Sequence, residues 1–257
     1  MSGRPVALVT GGAARIGRAI VCDLAANGYD VAIHVNRSRN EGEALAHELI
    51  AEHGIRAVVV SGDLGDADAI GRIVPEAVAL LGPLALLVNN ASIFEEDSVA
   101  TLTSDHFRRH MSVNAEAPAR LISAFAAEGQ AGGHGGDNRL AVNIIDQRVW
   151  KPTPKHLSYA ASKATLWWLT KTMAQALAPD VRVNAIGPGP ILQAASQSAE
   201  DFQEAVDAVP LKAAPDLADF GATIRYLHNT RSITGQMIAL DAGQHLAWQT
   251  PDALVNE

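Results

Sequence analysis

A short β-prone run at residues 6–9 stops at Thr10-Gly11-Gly12, and a helical apolar pattern follows at once over residues 16–26. Strand, glycine turn and helix in that order leave few folds open. Glycine lets a backbone approach a pyrophosphate closely, and the free amides and dipole at a helix start favour its negative charge. The turn reads TGGAARIG, so Gly11, Ile16 and Gly17 are candidate dinucleotide contacts. Arg15 stands where the commoner form of this turn has glycine, and puts a cation beside the phosphates. Further strand-like runs at 29–35, 57–60, 84–88 and 140–145 alternate with helical patterns near 40–53 and 67–80. That alternation predicts an α/β fold, a parallel sheet with helices on both faces and ligands beyond the carboxyl ends of its strands.

The chain has 257 residues, 48% of them apolar, and no compositional break, which predicts one domain. Its formal charge of −8, with Lys and Arg scattered singly, offers no stripe for a nucleic acid. A lone cysteine, Cys22, cannot form an internal disulfide, and a reducing compartment and an inert buried thiol are expected. The first residues carry too short an apolar run for a signal peptide. The longest apolar run, AVALLGPLALLV, is broken by Gly82-Pro83 and too short to span a bilayer. A cytoplasmic protein without membrane partner or metal is the expectation.

The second strand ends in HVNRS, with no carboxylate to bind a ribose hydroxyl and repel a 2′-phosphate. Arg37, flanked by Asn36 and Ser38 and with Arg15 near it in the fold, points instead to NADP(H). After the third strand, Asp63 either accepts from the adenine amino group or caps the next helix, with Leu64 beside it. Asn90 and Ala91 of NNASIF fall at the carboxyl end of the fourth strand.

The chemistry is concentrated in residues 146–163, DQRVWKPTPKHLSYAASK. Tyr159 and Lys163 lie one helical turn apart and share a face. Such a pair is also what a solvated helix face presents, and the N-terminal turn gives it weight. An ammonium beside a phenol lowers the phenol's pKa towards the working pH, so the pair reads as a general acid, Tyr159, tuned by Lys163.

TGGAARIG, NNAS, Asn114 in SVNAEAP, YAASK, RVNAIGPG and ITGQMIALDAG stand in the order found in short-chain dehydrogenases/reductases, and the chain resembles that family over nearly its whole length. The resemblance implies a single-domain Rossmann fold with a doubly wound seven-stranded parallel sheet, catalytic Tyr159 and Lys163, and an Asn114 that helps hold a proton-relay water. It implies that Pro188, Gly189 and Ile191 fix the nicotinamide end, that residues 190–212 form a substrate lid with a short helix, and that four copies assemble as a homotetramer. Gln193 replaces a threonine common in the family. HVNRS, Arg15, Ser92, Phe94 and Asp146 look like the pteridine reductase branch, and KHLSYAASKATL and LDAGQHL resemble its bacterial dihydromonapterin and dihydrofolate reductases. In that branch Arg15, Ser92, Phe94, Asp146 and Tyr159 would meet the substrate.

Asp146 takes a place where most of the family carries serine. A serine hydroxyl donates to a developing alkoxide, whereas an ionised carboxylate repels it, so ketone reduction is disfavoured. A pterin imine takes hydride on carbon and a proton on nitrogen, and its amino and lactam NH groups offer donors to a carboxylate. Asp146 would either orient that ring as an acceptor or, with a raised pKa, join in protonation. Phe94 would stack on a flat heteroaromatic or anchor its loop. The expected activity is NADPH-dependent reduction of a dihydropterin or dihydrofolate. The alternatives are a broad carbonyl reductase and an NADP-binding regulatory protein without turnover. Residues 129–138 read as a flexible glycine-rich turn, Trp150 as a residue of the site mouth or an exposed loop residue, and Trp167 and Trp168 as one core and one partner-facing side chain.

Overall fold

The computed structural model describes residues 3–131, 138–193 and 197–249. The strands are β1 (Val6–Thr10), β2 (Asp30–Val35), β3 (Ala57–Ser61), β4 (Leu84–Asn89), β5 (Arg139–Ile144), β6 (Val181–Pro188) and β7 (Met237–Leu240). The helices are α1 (Arg15–Ala26), α2 (Arg39–His53), α3 (Ala67–Leu81), α4 (Ser104–Met111), α5 (Ala117–Ala131), α6 (Leu157–Leu177), α7 (Ala199–Asp207) and α8 (Ala218–Asn229). All seven strands form one sheet in the order β3-β2-β1-β4-β5-β6-β7, and every pairing is parallel.

Both faces of the sheet are covered. Ile20, Leu24, Leu45, Phe220 and Ile224 bring α1, α2 and α8 onto one face. Ile73, Val74, Leu121, Phe125 and Ala174 bring α3, α5 and α6 onto the other. Strands buried on both sides are written as continuous apolar runs, which is how VALVT and DVAIHV read. Among the described residues no helix is long and apolar enough to cross a membrane.

Three expectations change. Helix α5 continues through Gly129 to Ala131, where a flexible turn was expected. The carbonyls of Phe125 and Ala126, about a turn before its end, accept from Arg139, whose guanidinium is packed 4.1 Å from the Phe125 ring centre, and a Cβ on Gly129 would stand 1.8 Å from that guanidinium. Residues 132–137 of the same turn lie outside the described residues. The cap of α3 is Asp66, which accepts from Asp68 N at 2.9 Å, while Asp63 accepts from Gly65 N at 2.8 Å. Trp150 takes the second of its two expected places, an exposed loop residue packed edge-on to His245 at 5.1 Å. Cys22 is only half-buried, and burial raises its pKa, so the thiol keeps its proton. Trp167 packs against the core cluster of Ile145, Leu166, Ala185 and Met237, and Trp168 is exposed.

The strand order reverses between β1 and β4, and the crevice at their carboxyl ends is held by one hydroxyl. Thr10 Oγ accepts from the amides of Asn90 at 2.9 Å and Ala91 at 3.0 Å, and Asn90 Nδ2 returns a bond to Thr10 O at 2.8 Å. Thr10→Val keeps the shape but removes the acceptor from two largely sheltered amides, and is expected to cost about 3 kcal/mol by urea unfolding. A loss under about 0.5 kcal/mol would show that water or a shifted loop satisfies both amides.

Candidate active site

Two neighbouring cavities open along this crevice. The larger, 590 Å³, lies beyond β1, β2 and β3 and is lined by Gly11, Asn36, Arg37, Ser38, Asp63, Leu64 and Ala91, all expected from the sequence to hold a cofactor. Arg39 is committed to Glu43 at 2.8 Å, whereas Arg37 is exposed and makes no ion pair among the described residues. Ser38 stands at the N-cap of α2 without a side-chain cap bond. One free guanidinium, a hydroxyl and an amide therefore face a cavity whose β2 end lacks a carboxylate, a donor set suited to a phosphate monoester.

The glycine turn is shaped for close approach. Gly11 has φ 62, and a Cβ on Gly17 would lie 2.1 Å from Gly11 O, so Gly17 lines neither cavity and instead lets α1 press against the turn. Arg15 has φ 51, the left-handed backbone for which glycine is the usual choice, and this explains the commoner residue there. Its guanidinium does not stay by the turn. It reaches the loop after β6, donating to Gln193 O at 3.0 Å and Leu192 O at 3.4 Å. Gln193 in turn donates its amide to Gln197 O.

His34, buried in β2, was missed. Its Nδ1 accepts from Gly11 N at 3.4 Å, which leaves the ring proton on Nε2, 3.0 Å from Gly62 O. The neutral ring thereby ties the glycine turn to the end of β3, and burial lowers its pKa to about 4. A polar residue inside the run VAIHV was the available signal.

The second cavity, 370 Å³, contains Arg15, Ile16, Asn90, Ser92, Phe94, Asp146, Tyr159, Lys163, Pro188, Gly189 and Ile191. Tyr159 and Lys163 share the buried face of α6, as their spacing required. Their electrostatics differ from expectation. The Tyr159 hydroxyl donates to Asp146 at 2.9 Å, while Lys163 Nζ donates to Ile144 O at 2.9 Å and lies 5.7 Å from the phenol ring centre. Burial, with Asp146 adding to it, pushes the phenol's pKa well above its ordinary value, and Lys163 does not reverse this. Burial also draws Lys163 down to about 8, against the pull of Asp146. Spacing along a helix reveals a shared face but not the cost of removing that face from water.

Asn114 sits in a π-helical turn, Ser112–Glu116, and is fully buried. Its Oδ1 accepts from Ile93 N at 2.9 Å and Ser92 Oγ at 3.1 Å, and its Nδ2 donates to Ile93 O at 3.0 Å and Ser162 Oγ at 3.1 Å. With every side-chain valence used, Asn114 fastens the loop after β4 to α6. Phe94 likewise has company. His156 stacks on it at 4.2 Å, Tyr159 meets it edge-on at 4.7 Å, and the Arg148 guanidinium lies over it at 5.5 Å.

Gln147, Arg148, Phe202 and Gln244, which no motif marks, also line the second cavity. Asp97, equally unmarked, accepts from Ser158 N at 3.0 Å through its carboxylate and so caps α6 from a distant loop. Glu95, His106 and His110 further gather donor atoms within 4.8 Å of one another beside that loop, where no metal was expected.

The pattern described as short chain dehydrogenase matches residues 5–204, and the chain belongs to that family. Among solved structures it is similar to FolM Alternative dihydrofolate reductase 1 from Brucella canis, complexed with NADP, at 49% identity and a TM-score of 0.90 over 98% of each chain. The corresponding protein of Brucella suis, in complex with NADP, is 51% identical at the same TM-score, covering 97% of this chain and 98% of that one. These likenesses put the chain on the pteridine and dihydrofolate reductase branch. A more distant relative, the 3-oxoacyl-[acyl-carrier-protein] reductase FabG of Staphylococcus epidermidis, is 27% identical over 93% of this chain and 98% of its own length.

His34 makes a pH signature. Its folded pKa of about 4 lies below the ordinary 6.5, so its contribution to stability is complete above 6.5 and is lost as pH falls towards 4. The loss is about 3 kcal/mol in all. Urea midpoints followed from pH 7.5 down should fall less steeply in His34→Gln than in the parent. Parallel profiles would mean that His34 takes up its proton in the folded protein.

Proposed function

We propose that this protein is an NADPH-dependent reductase of the C=N bond of a dihydropterin or dihydrofolate. The observation that carries the reading is the Asp146 carboxylate, 2.9 Å from the Tyr159 hydroxyl. NADPH, when bound, supplies the hydride. Gly11 and the start of α1 suit its pyrophosphate, Asn36, Arg37 and Ser38 its 2′-phosphate, and Asp63 and Leu64 its adenine. Asn90, Ala91, Lys163, Pro188, Gly189 and Ile191 suit its nicotinamide half. The likeness to NADP complexes at 49% and 51% identity supports this assignment.

Tyr159 carries its proton at neutral pH because burial disfavours the phenolate. Asp146 holds that hydroxyl in place, and its remaining acceptor capacity faces the cavity beside Gln147, whose Oε1 is buried without a hydrogen bond. A pterin edge offers NH donors to both acceptors and a ring nitrogen to the Tyr159 proton. A ketone offers no donor, and its developing alkoxide would meet a carboxylate, so carbonyl reduction is the weaker reading. The convergence of Tyr159, Lys163 and Asp146 on one cavity favours turnover over a purely regulatory role.

Residues 190–212, of which 194–196 lie outside the described residues, would serve as the lid. Helix α7 is capped by Ser198, which accepts from Asp201 N at 3.0 Å, and its Phe202 and Ala205 face the cavity, where closure would exclude water. Assembly as a homotetramer is supported by the 64% exposure of Trp168 and by an apolar groove of Phe107, Met111 and Leu169 beside it on α4 and α6.

In Asp146→Ser, steady-state NADPH oxidation with dihydropterin should fall by about 100-fold in kcat/KM, while ketone turnover is unchanged or raised. Pterin turnover at the parental level would refute the role of Asp146.

A further inference from the structure

The loop that joins Asp146 to α6 is an electrostatic exception. The chain has a formal charge of −8, yet residues 147–156, QRVWKPTPKH, contain Arg148, Lys151 and Lys155 and no carboxylate. Among the described residues none of these three cations enters an ion pair, although pairs occur elsewhere on the surface. Arg148 lines the second cavity, and its backbone amide donates to Asp146 Oδ1 at 2.8 Å, which fixes it beside the proposed reacting groups. Its Nη1 is buried and makes no hydrogen bond. The guanidinium rests over Phe94 at 5.5 Å, on the ring that Tyr159 meets edge-on at 4.7 Å. Lys151 follows at the rim, 3.4 Å from Gln244 O, a residue of the same cavity.

A charged nitrogen left buried and unpaired is costly, and a ring entering against Phe94 would disturb the contact between that ring and the guanidinium. A carboxylate arriving on the same ligand repairs both losses, because Arg presents a planar fork matched to it. A neutral polyol substituent repairs neither. We propose that Arg148, with Lys151 at the rim, forms a subsite for the carboxylate tail of the substrate, so that the site prefers a glutamate-bearing pterin, a dihydrofolate, over pterins with uncharged side chains. This deepens the proposed pterin reading and rests on it.

Two experiments separate the subsite from that reading. Calorimetry of the protein–NADP complex with p-aminobenzoylglutamate, which needs no turnover, should give binding that weakens as salt is raised and that is lost with the diethyl ester of the same compound. Equal binding of acid and ester, or no binding of either, would overturn the subsite. In steady-state assays, Arg148→Gln should lower the ratio of kcat/KM for dihydrofolate to that for dihydrobiopterin by about tenfold, chiefly through KM, and Arg148→Lys should restore part of it. An unchanged ratio, with both substrates falling together, would assign Arg148 to structure and reject the subsite. A parent enzyme that turns over neither pterin would reject the reductase reading while the calorimetry still decides the subsite. Should Arg148→Gln fail to fold, the comparison of acid and ester on the parent protein decides it alone.

Discussion

The reversal of strand order between β1 and β4 is the constraint on which the site depends. Parallel strands that run outward from this point in two directions leave their carboxyl ends apart, and a crevice results without any residue being selected to carve it. What must be selected is the closure of its floor. Thr10, Asn90 and Gly11 supply it through bonds to the backbone, and the Gly17 contact with Gly11 O draws α1 down on the same turn. Asn114 repeats the device one layer out, binding the loop after β4 to Ser162 of the helix that bears Tyr159. The two cavities are therefore rigid on their sheet side and depend on α7 and the loops on the other.

Within that frame, burial sets the charges. Lys163, Tyr159 and His34 are all removed from water, and each is pushed towards its neutral form. For His34 the neutral ring is what allows an acceptor to face Gly11 and a donor to face Gly62. For Tyr159 it keeps the proton on the oxygen that touches Asp146. Lys163 remains the group closest to a change of state, with a pKa of about 8. The same low-dielectric setting makes the unpaired Nη1 of Arg148 and Oε1 of Gln147 conspicuous, since buried groups of this kind normally find partners.

Much of this was legible in the order of residues. The strands, the glycine turn and the membership of Tyr159, Lys163 and Asp146 in one site follow from periodicity and from motifs in sequence order, and the expected cofactor and substrate residues other than Gly17 do line the two cavities. What failed depended on contacts between distant segments. Asp63 and Asp66 are equivalent helix caps by local rules, and only the turn at Gly65 distinguishes them. The packing of α5 at Phe125, Ala126 and Gly129 depends on Arg139 across the turn, and the surroundings of Phe94 depend on His156 and Arg148. The tuning of Tyr159 was assigned to Lys163 because spacing shows adjacency, whereas the direction of a pKa shift depends on how much water is excluded.

The central claim is that hydride goes to the carbon of a ring imine. The most direct measurement offers the enzyme NADPH deuterated at the transferable position together with equal concentrations of a dihydropterin and a ketone, and locates the label by mass spectrometry and NMR. The account predicts deuterium on a pterin ring carbon and little in the alcohol. Deuterium in the alcohol with an unlabelled pterin would contradict it and make the protein a carbonyl reductase.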